Sequence, residues 1–487
     1  REEGALQGIR LRDDFGRSYP ERDSLGSVVG FIGTDGTGLT GIEYTMNDWL
    51  SPDGSAGFGN QVFLTVDMNI QYESERLAQA ALLEHQADSV MLITLDTQSG
   101  DILGYASTPG FDPNQFADVP DSARRNRPIS DVYEPGSVFK IFSIGSFLQL
   151  GAIDMDSTFV TNGVYDRSDP PITDLANYGS LDTTGVLRLS SNVGAALASE
   201  QANERSFYTM LRLFGFGEQT GVDMNGEEAG ILARPENWSS RTKPTLAIGQ
   251  EIAVTALQVV SAATVFANSG ILVKPNIIDK IVSPTGRVLL DYGRTPVREV
   301  VSAQTAADVL LAMEQAVSGN GTARRLEYEG LRIAAKTGTA EQLDPATGTY
   351  SETAFIASTL AIFPVDNPSL AVYLVIDNPK TGEFYGGRIA TPVVREYLDF
   401  LVPYAGIPVD GDRTVVHAGR ITVPSVGLPR LNETLPDFSG LPKRTLLPLL
   451  ELSEIDVQID GFGWVVRQDP PPGTPLRPGM SIRLELE

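Results

Sequence analysis

The chain of 487 residues contains no cysteine and only two histidines. Without cysteine it can form no disulfide and has no thiol nucleophile, and a zinc site would lack its most common ligands. A Ser-His-Asp triad would need His85 or His417, which we expect to lie in an exposed helix and in a linker, respectively. Nucleophilic chemistry in this protein therefore has to be activated without a thiol and without a well-placed imidazole.

The chain also lacks a basic surplus and long apolar runs. Its net charge of −25 makes it a poor candidate for nucleic-acid binding, which needs a basic footprint. No apolar stretch approaches the roughly 18 residues that span a bilayer. Hydrophobic residues at 41% and charged residues at 20% are typical of a globular protein. The length predicts more than one domain.

Turn signals and hydrophobic periodicity divide the chain into four segments. Residues 1–60 are rich in Gly and Asp and predict a loop-rich, extended region with few helices. Residues 61–403 mix strand and helix patterns, with helix patterns concentrated in the middle. Residues 404–433 carry scattered Pro and Gly and predict a linker. Residues 434–487 have their own short periodic elements and predict a separate small unit.

The second segment begins and ends with strand patterns. Residues 89–106 predict a hairpin, and strands return near 331–337, 354–363 and 370–377 before a helix from Pro392 to Phe400. Between them lie helix patterns near 136–150, 190–200, 204–214, 255–267 and 303–317. This order predicts a sheet whose strands are far apart in sequence, with a helical insertion between them.

The small C-terminal unit shows one helix pattern and three strand patterns. A short apolar helix is predicted at 446–452, followed by alternating strands near 455–459, 463–467 and 481–486. We expect the stretch from Trp464 to Val466 to form the core of this unit rather than a ligand surface.

Ser137 and Lys140 form the most informative pattern in the chain. They follow Pro135-Gly136 and open a run that is apolar at helical spacing. Residues three apart are neighbours on a helix, so the hydroxyl and the amine share one face. That arrangement can activate a serine without histidine.

Ser-x-x-Lys is one of three short motifs that each occur twice. The pairs are Ser137/Lys140 and Ser240/Lys243, Ser190/Asn192 and Ser318/Asn320, and Lys-Thr-Gly starting at Lys336 and at Lys380. Context selects one member of each pair. Pro244 is predicted to push Lys243 out of helical geometry. The Ser318 copy lies in a glycine-rich turn, and Lys380 follows a proline in a polar turn. Lys336 instead continues a predicted strand that ends in small residues, alongside which a substrate backbone can lie.

The surviving trio, in the order Ser137, Ser190, Lys336, resembles the active-site serine penicilloyl transferases, which comprise penicillin-binding proteins and serine β-lactamases. Longer segments resemble the class B penicillin-binding proteins; they are residues 133–140, 248–258 and 111–114. Residues 17–20 and 41–43 resemble the non-catalytic pedestal of that family, and residues 435–440 with 468–473 resemble one PASTA domain.

The resemblance implies an α/β (α+β multidomain) fold. We expect a penicillin-binding-protein/β-lactamase-like transpeptidase domain over 61–403, with a central antiparallel sheet flanked by helices, an extended pedestal over 1–60 and a small α+β PASTA domain over 434–487. The cleft is expected between the edge strand carrying Lys336 and the helical subregion carrying Ser190. Nothing like the family's Arg-Gly-rich pedestal start precedes Arg10, so we expect the membrane anchor to be absent from this sequence and the protein to face the periplasm.

The resemblance also assigns roles to single residues. Which group acts as base is open in this superfamily, and Lys140, desolvated and near a second cation, is our candidate. The backbone N–H groups of Ser137 and Thr339 would form the oxyanion hole. The remaining expected roles are the nucleophile for Ser137, proton relay for Ser190, binding of a substrate amide for Asn192, positive potential for Lys336, carboxylate binding for Thr337 and Thr339, and a place in the substrate-binding strand for Gly338.

The implied function is a peptidoglycan D,D-transpeptidase that cross-links stem peptides through a serine acyl-enzyme and is acylated and inhibited by β-lactams. Expected partners are stem peptides, β-lactam antibiotics, and a membrane glycosyltransferase with other division or elongation proteins. Neither a cofactor nor a metal is implied. Two alternatives stay open at this point: a serine β-lactamase or β-lactam sensor, and a catalytically silent peptidoglycan-binding scaffold. The rate of deacylation separates the transpeptidase from the β-lactamase or sensor. Acylation itself separates both of these from the scaffold.

Overall fold

A computed structural model describes residues 16–51, 59–344, 347–409, 429, 431, 434–446, 449–450, 455–461, 463–477 and 479–486. The chain divides into two compact units, residues 1–412 and 413–487. In this described part of the chain, no helix combines the length and the apolar character that a membrane crossing requires. The predicted linker lies largely outside the described residues, as does His417.

The helices of the described residues belong mostly to the first unit. They are α1 (Gly26–Val29), α2 (Gly41–Thr45), α3 (Asn47–Leu50), α4 (Met68–His85), α5 (Arg127–Ser130), α6 (Lys140–Gln149), α7 (Thr183–Leu189), α8 (Asn192–Glu200), α9 (Glu204–Leu213), α10 (Thr242–Ala247), α11 (Ala256–Ala267), α12 (Ala303–Glu314), α13 (Gly386–Tyr404) and α14 (Lys443–Leu446).

The strands of the described residues form one large sheet and several small ones. They are β1 (Gln61–Leu64), β2 (Ser89–Asp96), β3 (Ile102–Thr108), β4 (Thr158–Thr161), β5 (Val164–Tyr165), β6 (Ile172–Thr173), β7 (Gly179–Asp182), β8 (Ile231–Leu232), β9 (Ile252–Ala253), β10 (Ile271–Val273), β11 (Ile278–Val282), β12 (Val288–Asp291), β13 (Pro296–Glu299), β14 (Ala334–Asp344), β15 (Thr349–Phe363), β16 (Leu370–Asp377), β17 (Ile455–Gly461), β18 (Val465–Asp469) and β19 (Met480–Leu486).

The large sheet has five antiparallel strands in the order β14-β15-β16-β2-β3. The hairpin β2–β3 therefore pairs through β2 with strand β16, which follows the hairpin by more than 250 residues, as in the register Leu374 opposite Leu92. The prediction of a central antiparallel sheet interrupted by a helical region is confirmed. Strand β14, which carries Lys336, is an edge strand of this sheet.

Both faces of the sheet are covered by helices. Successive side chains of a strand point to opposite faces, and Leu92 and Ile93 accordingly belong to two different hydrophobic clusters. On one side pack α11 and α12, with α6 behind them, and on the other side pack α4 and α13. Because β2 is buried along nearly its whole length, it is rich in apolar residues without alternation.

Two boundaries around the sheet differ from the prediction. Helix α13 begins at Gly386, six residues before Pro392, and continues through that proline to Tyr404. Proline cannot donate to the carbonyl four residues earlier, and Arg325 Nη1 donates to this Arg388 oxygen instead at 3.0 Å. Strand β14 begins at Ala334 and extends to residue 344, because the long strand β15 pairs with it beyond the small residues.

Two expectations about the first unit are wrong or incomplete. His85 is buried, with 7% of its surface exposed; it ends α4, and its backbone carbonyl accepts from the backbone N–H of Lys380. The region expected to be loop-rich and extended contains three short helices, α1 to α3. In that region Arg17 and Glu43 form an ion pair at 2.9 Å, which joins the two segments that resemble the pedestal.

The C-terminal unit is a three-stranded sheet in the order β17-β19-β18, with β17 parallel and β18 antiparallel to β19. All three predicted strands are present. The core prediction for the stretch 464–466 is wrong for Trp464 and Val466, whose surfaces are 58% and 54% exposed, and holds for Val465, which is buried. Alternation along a strand turns only one of two neighbours inward. Helix α14 ends at Leu446, and most of the predicted helix after it lies outside the described residues.

Candidate active site

Ser137 lies in a tight turn that leads directly into a buried helix. The turn is a 3-10 segment, Gly136–Phe139, and α6 follows from Lys140. Gly136 has a φ of 56°, which a side chain would disfavour. Ser137 is half-buried, and its Oγ lies 3.1 Å from Nζ of Lys140. The structure thus places the two side chains next to each other as their spacing predicts.

The loop between α7 and α8 brings Ser190 and Asn192 to the same amine. Ser190 ends α7 with a φ of 58°, and Ser191 caps α8 by accepting from the backbone of Gly194 at 2.8 Å. Lys140 Nζ donates to the carbonyl of Ser190 at 2.5 Å and to Asn192 Oδ1 at 2.7 Å. It also lies 3.2 Å from Ser190 Oγ. The left-handed backbone at Ser190 directs its carbonyl and its hydroxyl together toward Lys140.

Lys336 reaches the same group from the sheet. Its Nζ donates to Ser190 Oγ at 2.8 Å and to the Thr337 carbonyl at 3.0 Å. Ser137, Lys140, Ser190 and Lys336 therefore form one continuous chain of hydrogen-bonding groups drawn from two helical elements and one strand. The flanking sequence led us to prefer Ser137, Ser190 and Lys336 over the second copies of their motifs, and the fold brings these three residues together.

Both lysines of this chain of hydrogen bonds, Lys140 and Lys336, have lowered pKa values. Lys140 and Lys336 are completely buried. Burial lowers the pKa of Lys140 to about 7, and only the negative charge of Asp174 opposes it. Burial, and then the neighbouring positive charge of Lys140, hold the pKa of Lys336 well below its usual value. At neutral pH, a neutral amine is therefore available beside Ser137.

The remaining predicted residues line the strand that borders the site. Thr337 and Thr339 alternate with Lys336 along β14, and the Thr339 hydroxyl accepts from the backbone N–H of Gly386 at 3.1 Å. Gly338 has a packing role. A Cβ atom there would lie 2.3 Å from Ser358 Oγ and 3.0 Å from the Pro135 carbonyl. The absence of a side chain lets the turn before Ser137 approach β14 closely.

A cleft of about 740 Å³ opens between this strand and the helical region. The predicted residues that line it are Ser137, Ser190, Asn192, Thr337 and Thr339. Lys140 and Lys336 lie behind its wall, where solvent does not reach them. The cleft thus occupies the position expected from the sequence.

Asp174 lies in the wall of the cleft beside these groups, and the sequence analysis did not predict it. Its carboxylate accepts from Ser191 Oγ at 2.6 Å and from the backbone N–H of Val193 at 3.1 Å, so it holds the first turn of α8. Asn192 Nδ2 donates to the Thr173 carbonyl at 2.9 Å, which turns its Oδ1 toward Lys140. No sequence motif indicates Asp174, because it lies in an irregular loop well before Ser190 in the sequence.

An aromatic wall was also missed. Phe355 and Phe384 stack with ring centroids 3.9 Å apart, and both line the cleft beside Tyr385. The consecutive residues Phe384, Tyr385, Gly386 and Gly387 could have signalled this wall, since paired aromatics before paired glycines are unusual at a helix start. This surface can pack against apolar parts of a substrate.

The second copies of the motifs lie away from the cleft chemistry. Lys243 lies inside the first turn of α10, so the prediction that Pro244 removes it from helical geometry is wrong; proline is tolerated in a first turn. The ammonium of Lys243 donates to the Ala202 carbonyl at 2.9 Å. Lys380 pairs with Asp88 at the surface. Among the described residues, no group of three or more histidines and acidic residues is placed to hold a metal ion.

Gly249→Ala is expected to destabilise the protein and to disturb the turn before Ser137. Gly249 has a φ of 86°, and an added Cβ would lie 2.1 Å from the Gly136 carbonyl oxygen. The left-handed backbone alone costs about 1–2 kcal/mol with a side chain, and the clash adds about 1–3 kcal/mol. Urea unfolding would measure the loss.

Gly286→Ala is the matched control for that substitution. Gly286 has a φ of 85°, but nothing lies within 4 Å of its added Cβ. Gly249→Ala should therefore lose at least about 1 kcal/mol more than Gly286→Ala. Equal losses in the two variants would mean that the close approach of Gly249 to Gly136 does not constrain the turn.

Comparison with known families and proteins agrees with this geometry. The family profile described as the penicillin binding protein transpeptidase domain matches residues 90–399, and the PASTA domain profile matches residues 433–487. The chain is 29% identical to stage V sporulation protein D of Bacillus subtilis, with 99% of this chain and 77% of that protein covered. It is also 29% identical to the peptidoglycan D,D-transpeptidase FtsI of Escherichia coli K12, over 80% of this chain and 67% of that protein.

A solved structure shows the same similarity in three dimensions. The crystal structure of penicillin binding protein 3 of Mycobacterium tuberculosis, complexed with ampicillin, superposes with a TM-score of 0.75 at 31% identity. The match covers 82% of this chain and 91% of that one.

Proposed function

The chain belongs to the penicillin-binding protein transpeptidase family, and from that premise we propose that it is a serine-type peptidoglycan D,D-transpeptidase whose acyl group is carried by Ser137. The observation that supports this most strongly is the buried chain of hydrogen bonds from Ser137 through Lys140 and Ser190 to Lys336. A relative with 31% identity was solved in complex with ampicillin, which supports β-lactams as ligands of the same cleft.

Lys140 is the base in this proposal, because its surroundings leave its lone pair for a hydroxyl. A neutral amine has two N–H donors and one lone pair. The carbonyl of Ser190 and Oδ1 of Asn192 can only accept, and they lie nearest to the amine, at 2.5 and 2.7 Å. With both donors used there, the lone pair is left for the hydroxyl of Ser137 at 3.1 Å.

Acylation then proceeds as a proton transfer coupled to attack. Lys140 takes the proton of Ser137 while Oγ forms a bond to the carbonyl carbon of the penultimate D-alanine. The tetrahedral oxyanion is stabilised by the backbone N–H groups of Ser137 and Thr339. The proton passes through the Ser190 hydroxyl to the nitrogen of the departing D-alanine as the peptide bond breaks. The product is an ester on Ser137.

Transfer of the acyl group to the acceptor reverses these proton movements. The amine of a second stem peptide attacks the ester carbon, and the Ser190 relay takes its excess proton. As the ester bond breaks, Ser137 Oγ regains a proton from Lys140. With a β-lactam, the leaving nitrogen stays tethered in the opened ring, so it obstructs the path of the acceptor and the ester persists.

The carboxylate of the substrate lies against β14 in this proposal. Thr337 and Thr339 offer hydroxyls, and the backbone of Gly386 at the start of the 19-residue helix α13 adjoins Thr339. A helix start favours negative charge. Lys336 adds a donor behind them at 2.8 Å from Ser190 Oγ. A free D-alanine carboxylate and the carboxylate of a β-lactam share this geometry.

Two further parts of the proposal rest on the family rather than on the cleft. The substrate, peptidoglycan, places the active site on the extracytoplasmic side of the membrane. A membrane glycosyltransferase that polymerises the glycan would supply the strands that this enzyme cross-links, together with other division or elongation proteins.

Intact-mass spectrometry after incubation with benzylpenicillin tests the proposed function. We expect an adduct of the mass of the antibiotic that persists through the time course, because the tethered leaving nitrogen of the opened ring obstructs the approach to the ester. An adduct that forms and clears within minutes would indicate a β-lactamase. No adduct at all would contradict acylation and support a silent scaffold.

The rate of acylation is expected to rise with pH through an inflection near 7. Lys140 acts as a base only when neutral, and burial places its pKa at about 7. Below that value the rate should fall about tenfold per pH unit, and above it the rate should level off. Second-order rate constants with a fluorescent penicillin between pH 5 and 9 would measure this profile.

Glu134 provides the control for this pH profile. Burial raises its pKa to about 7 as well, and it accepts from the backbone N–H of Glu251 at 2.8 Å and from Tyr350 at 3.0 Å. Glu134→Gln keeps the shape of the side chain and removes its titration. The inflection should remain in this variant. If it disappears, the titrating group is Glu134 and not Lys140.

A further inference from the structure

One part of the cleft wall is basic in an otherwise strongly acidic chain. The net charge of the chain is −25, yet the cleft is lined by four arginines and two acidic residues; they are Arg241, Arg324, Arg325, Arg388, Asp174 and Glu341. Asp174 is engaged by the first turn of α8. A surplus of arginine on the wall of a cleft in an acidic protein indicates an anionic ligand group.

Among the described residues that line the cleft, Arg241, Arg324 and Arg325 are arginines without an ion pair, and Arg324 and Arg325 are neighbours in the chain. Arg388 forms an ion pair with Glu383 at 2.8 Å. Within the described ranges, neither Arg324 nor Arg325 forms an ion pair. Arg325 uses one nitrogen, Nη1, for the carbonyls of Gly387 and Arg388 at 3.4 and 3.0 Å, which holds its guanidinium in place and leaves its other N–H groups unused by these contacts.

These arginines lie beside the part of β14 that receives the substrate carboxylate. Gly387, which Arg325 contacts, is next to Thr337: a Cβ added to Gly387 would lie 3.7 Å from Thr337 Cγ2 and 2.6 Å from the carbonyl of Thr322. Thr322 also lines the cleft, and its buried hydroxyl has no hydrogen-bond partner among the described residues. The basic wall therefore continues outward from the threonines of β14.

The sequence of the reaction steps indicates which peptide lies next to the basic wall of the cleft. The departing D-alanine lies with its carboxylate at Thr337 and Thr339, and the acceptor amine must attack from the space that this group vacates. The acceptor peptide enters from the same side. Arg324 and Arg325 line the same cleft, and Arg325 contacts Gly387 beside Thr337, so the chain of the acceptor beyond its amine can reach them. Guanidinium groups bind carboxylates through paired hydrogen bonds.

We propose that Arg324 and Arg325 bind a second carboxylate of the acceptor stem peptide, so that this enzyme favours acceptors in which that carboxylate is free over acceptors in which it is amidated. The proposal rests on the proposed transpeptidase function. The transfer itself is unchanged: the acceptor nitrogen forms the new amide bond, the ester bond to Ser137 breaks, and the excess amine proton returns to Ser137 through the relay.

Partition of an acyl-enzyme between water and acceptors tests this site. A small D-alanine thioester donor acylates the full chain, and two acceptor peptides are compared. Both acceptors carry the carboxylate adjacent to the attacking amine. They differ only in the second carboxylate, which is free in one acceptor and amidated in the other. The wild-type protein should prefer the free carboxylate by about fivefold, the size expected for a solvent-accessible charge contact. Arg324→Gln and Arg325→Gln should each reduce that preference.

The controls separate this proposal from folding and from the proposed function. Arg287→Gln changes an exposed arginine outside the cleft and should keep the full preference. Acylation by benzylpenicillin should also stay within about twofold of wild type in Arg287→Gln. In Arg324→Gln the preference is the ratio of two acceptors measured in one variant, so it does not depend on how fast that variant is acylated. An unchanged preference, or an equal loss for both acceptors, would overturn the proposal. Absence of any acylation in the wild-type protein would instead overturn the proposed function.

Discussion

Ser137→Ala abolishes the covalent adduct with benzylpenicillin, and Ser240→Ala leaves it intact: this is the largest effect we expect. Ser137 is the hydroxyl beside the buried amine of Lys140, at 3.1 Å. Ser240 has the same Ser-x-x-Lys spacing, but its side chain is exposed and lies outside the residues that line the cleft. The pair tests whether spacing alone or position in the fold makes a serine a nucleophile.

The expected loss for Ser137→Ala is at least on the order of 10⁴-fold in the rate of acylation, because removal of a nucleophile leaves only binding and oxyanion stabilisation. Intact-mass spectrometry would follow the adduct, and a melting curve would show that the variant is folded. Benzylpenicillin should still bind reversibly and raise the melting temperature of Ser137→Ala. An adduct that persists in this variant would mean that another residue carries the acyl group.

Lys140→Met should give the second largest effect, a fall in acylation of about 10²- to 10⁴-fold, the usual contribution of a general base. Methionine fills the volume of the buried side chain but has no lone pair that accepts a proton at neutral pH. Lys140→Arg should fail as well, because a guanidinium stays charged. Rates of acylation with a fluorescent penicillin would measure both variants.

Lys243→Met is the matched control for Lys140→Met. Lys243 is the amine of the second Ser-x-x-Lys motif, and its ammonium donates to the backbone carbonyl of Ala202 at 2.9 Å. Its replacement should leave acylation within about threefold of wild type, since a single exposed or half-buried hydrogen bond contributes little to the site. The double variant Ser137→Ala/Lys140→Met should be no worse than Ser137→Ala, because the two residues act in one step. Additive losses would contradict a shared step.

Part of this site follows from the sequence because its chemistry is local. Ser137 and Lys140 are three residues apart, so any helical turn brings their side chains together. The turn residues Pro135 and Gly136 before them and the apolar run after them predict that turn. The hairpin β2–β3 and strands β15 and β16 follow for the same reason, since alternating or continuous apolar runs determine strands locally.

Other elements could not be predicted from local patterns. Helix α13 passes through Pro392 because the guanidinium of Arg325 satisfies the carbonyl of Arg388, which proline cannot. His85 is buried at the end of α4, where its carbonyl accepts a hydrogen bond from a segment almost 300 residues later. Trp464 is exposed because strand alternation turns its neighbour Val465 inward. In each case the deciding contact is distant in sequence or depends on the register of a strand.

The sequence by itself determined which residues are candidates for the reactive groups and where most of the surrounding strands lie along the chain, because motif spacing and hydrophobic periodicity act within a few residues. Only the tertiary structure decided what those groups do. It buried Lys140 and Lys336 against Ser190, and the loss of water around two amines lowers both pKa values. It also carried Asp174 to α8, and Arg324 and Arg325 to the wall beside Thr337. The charge around a group, its loss of water and its distance to other residues depend on positions in space. The spacing of residues along the chain does not give those positions.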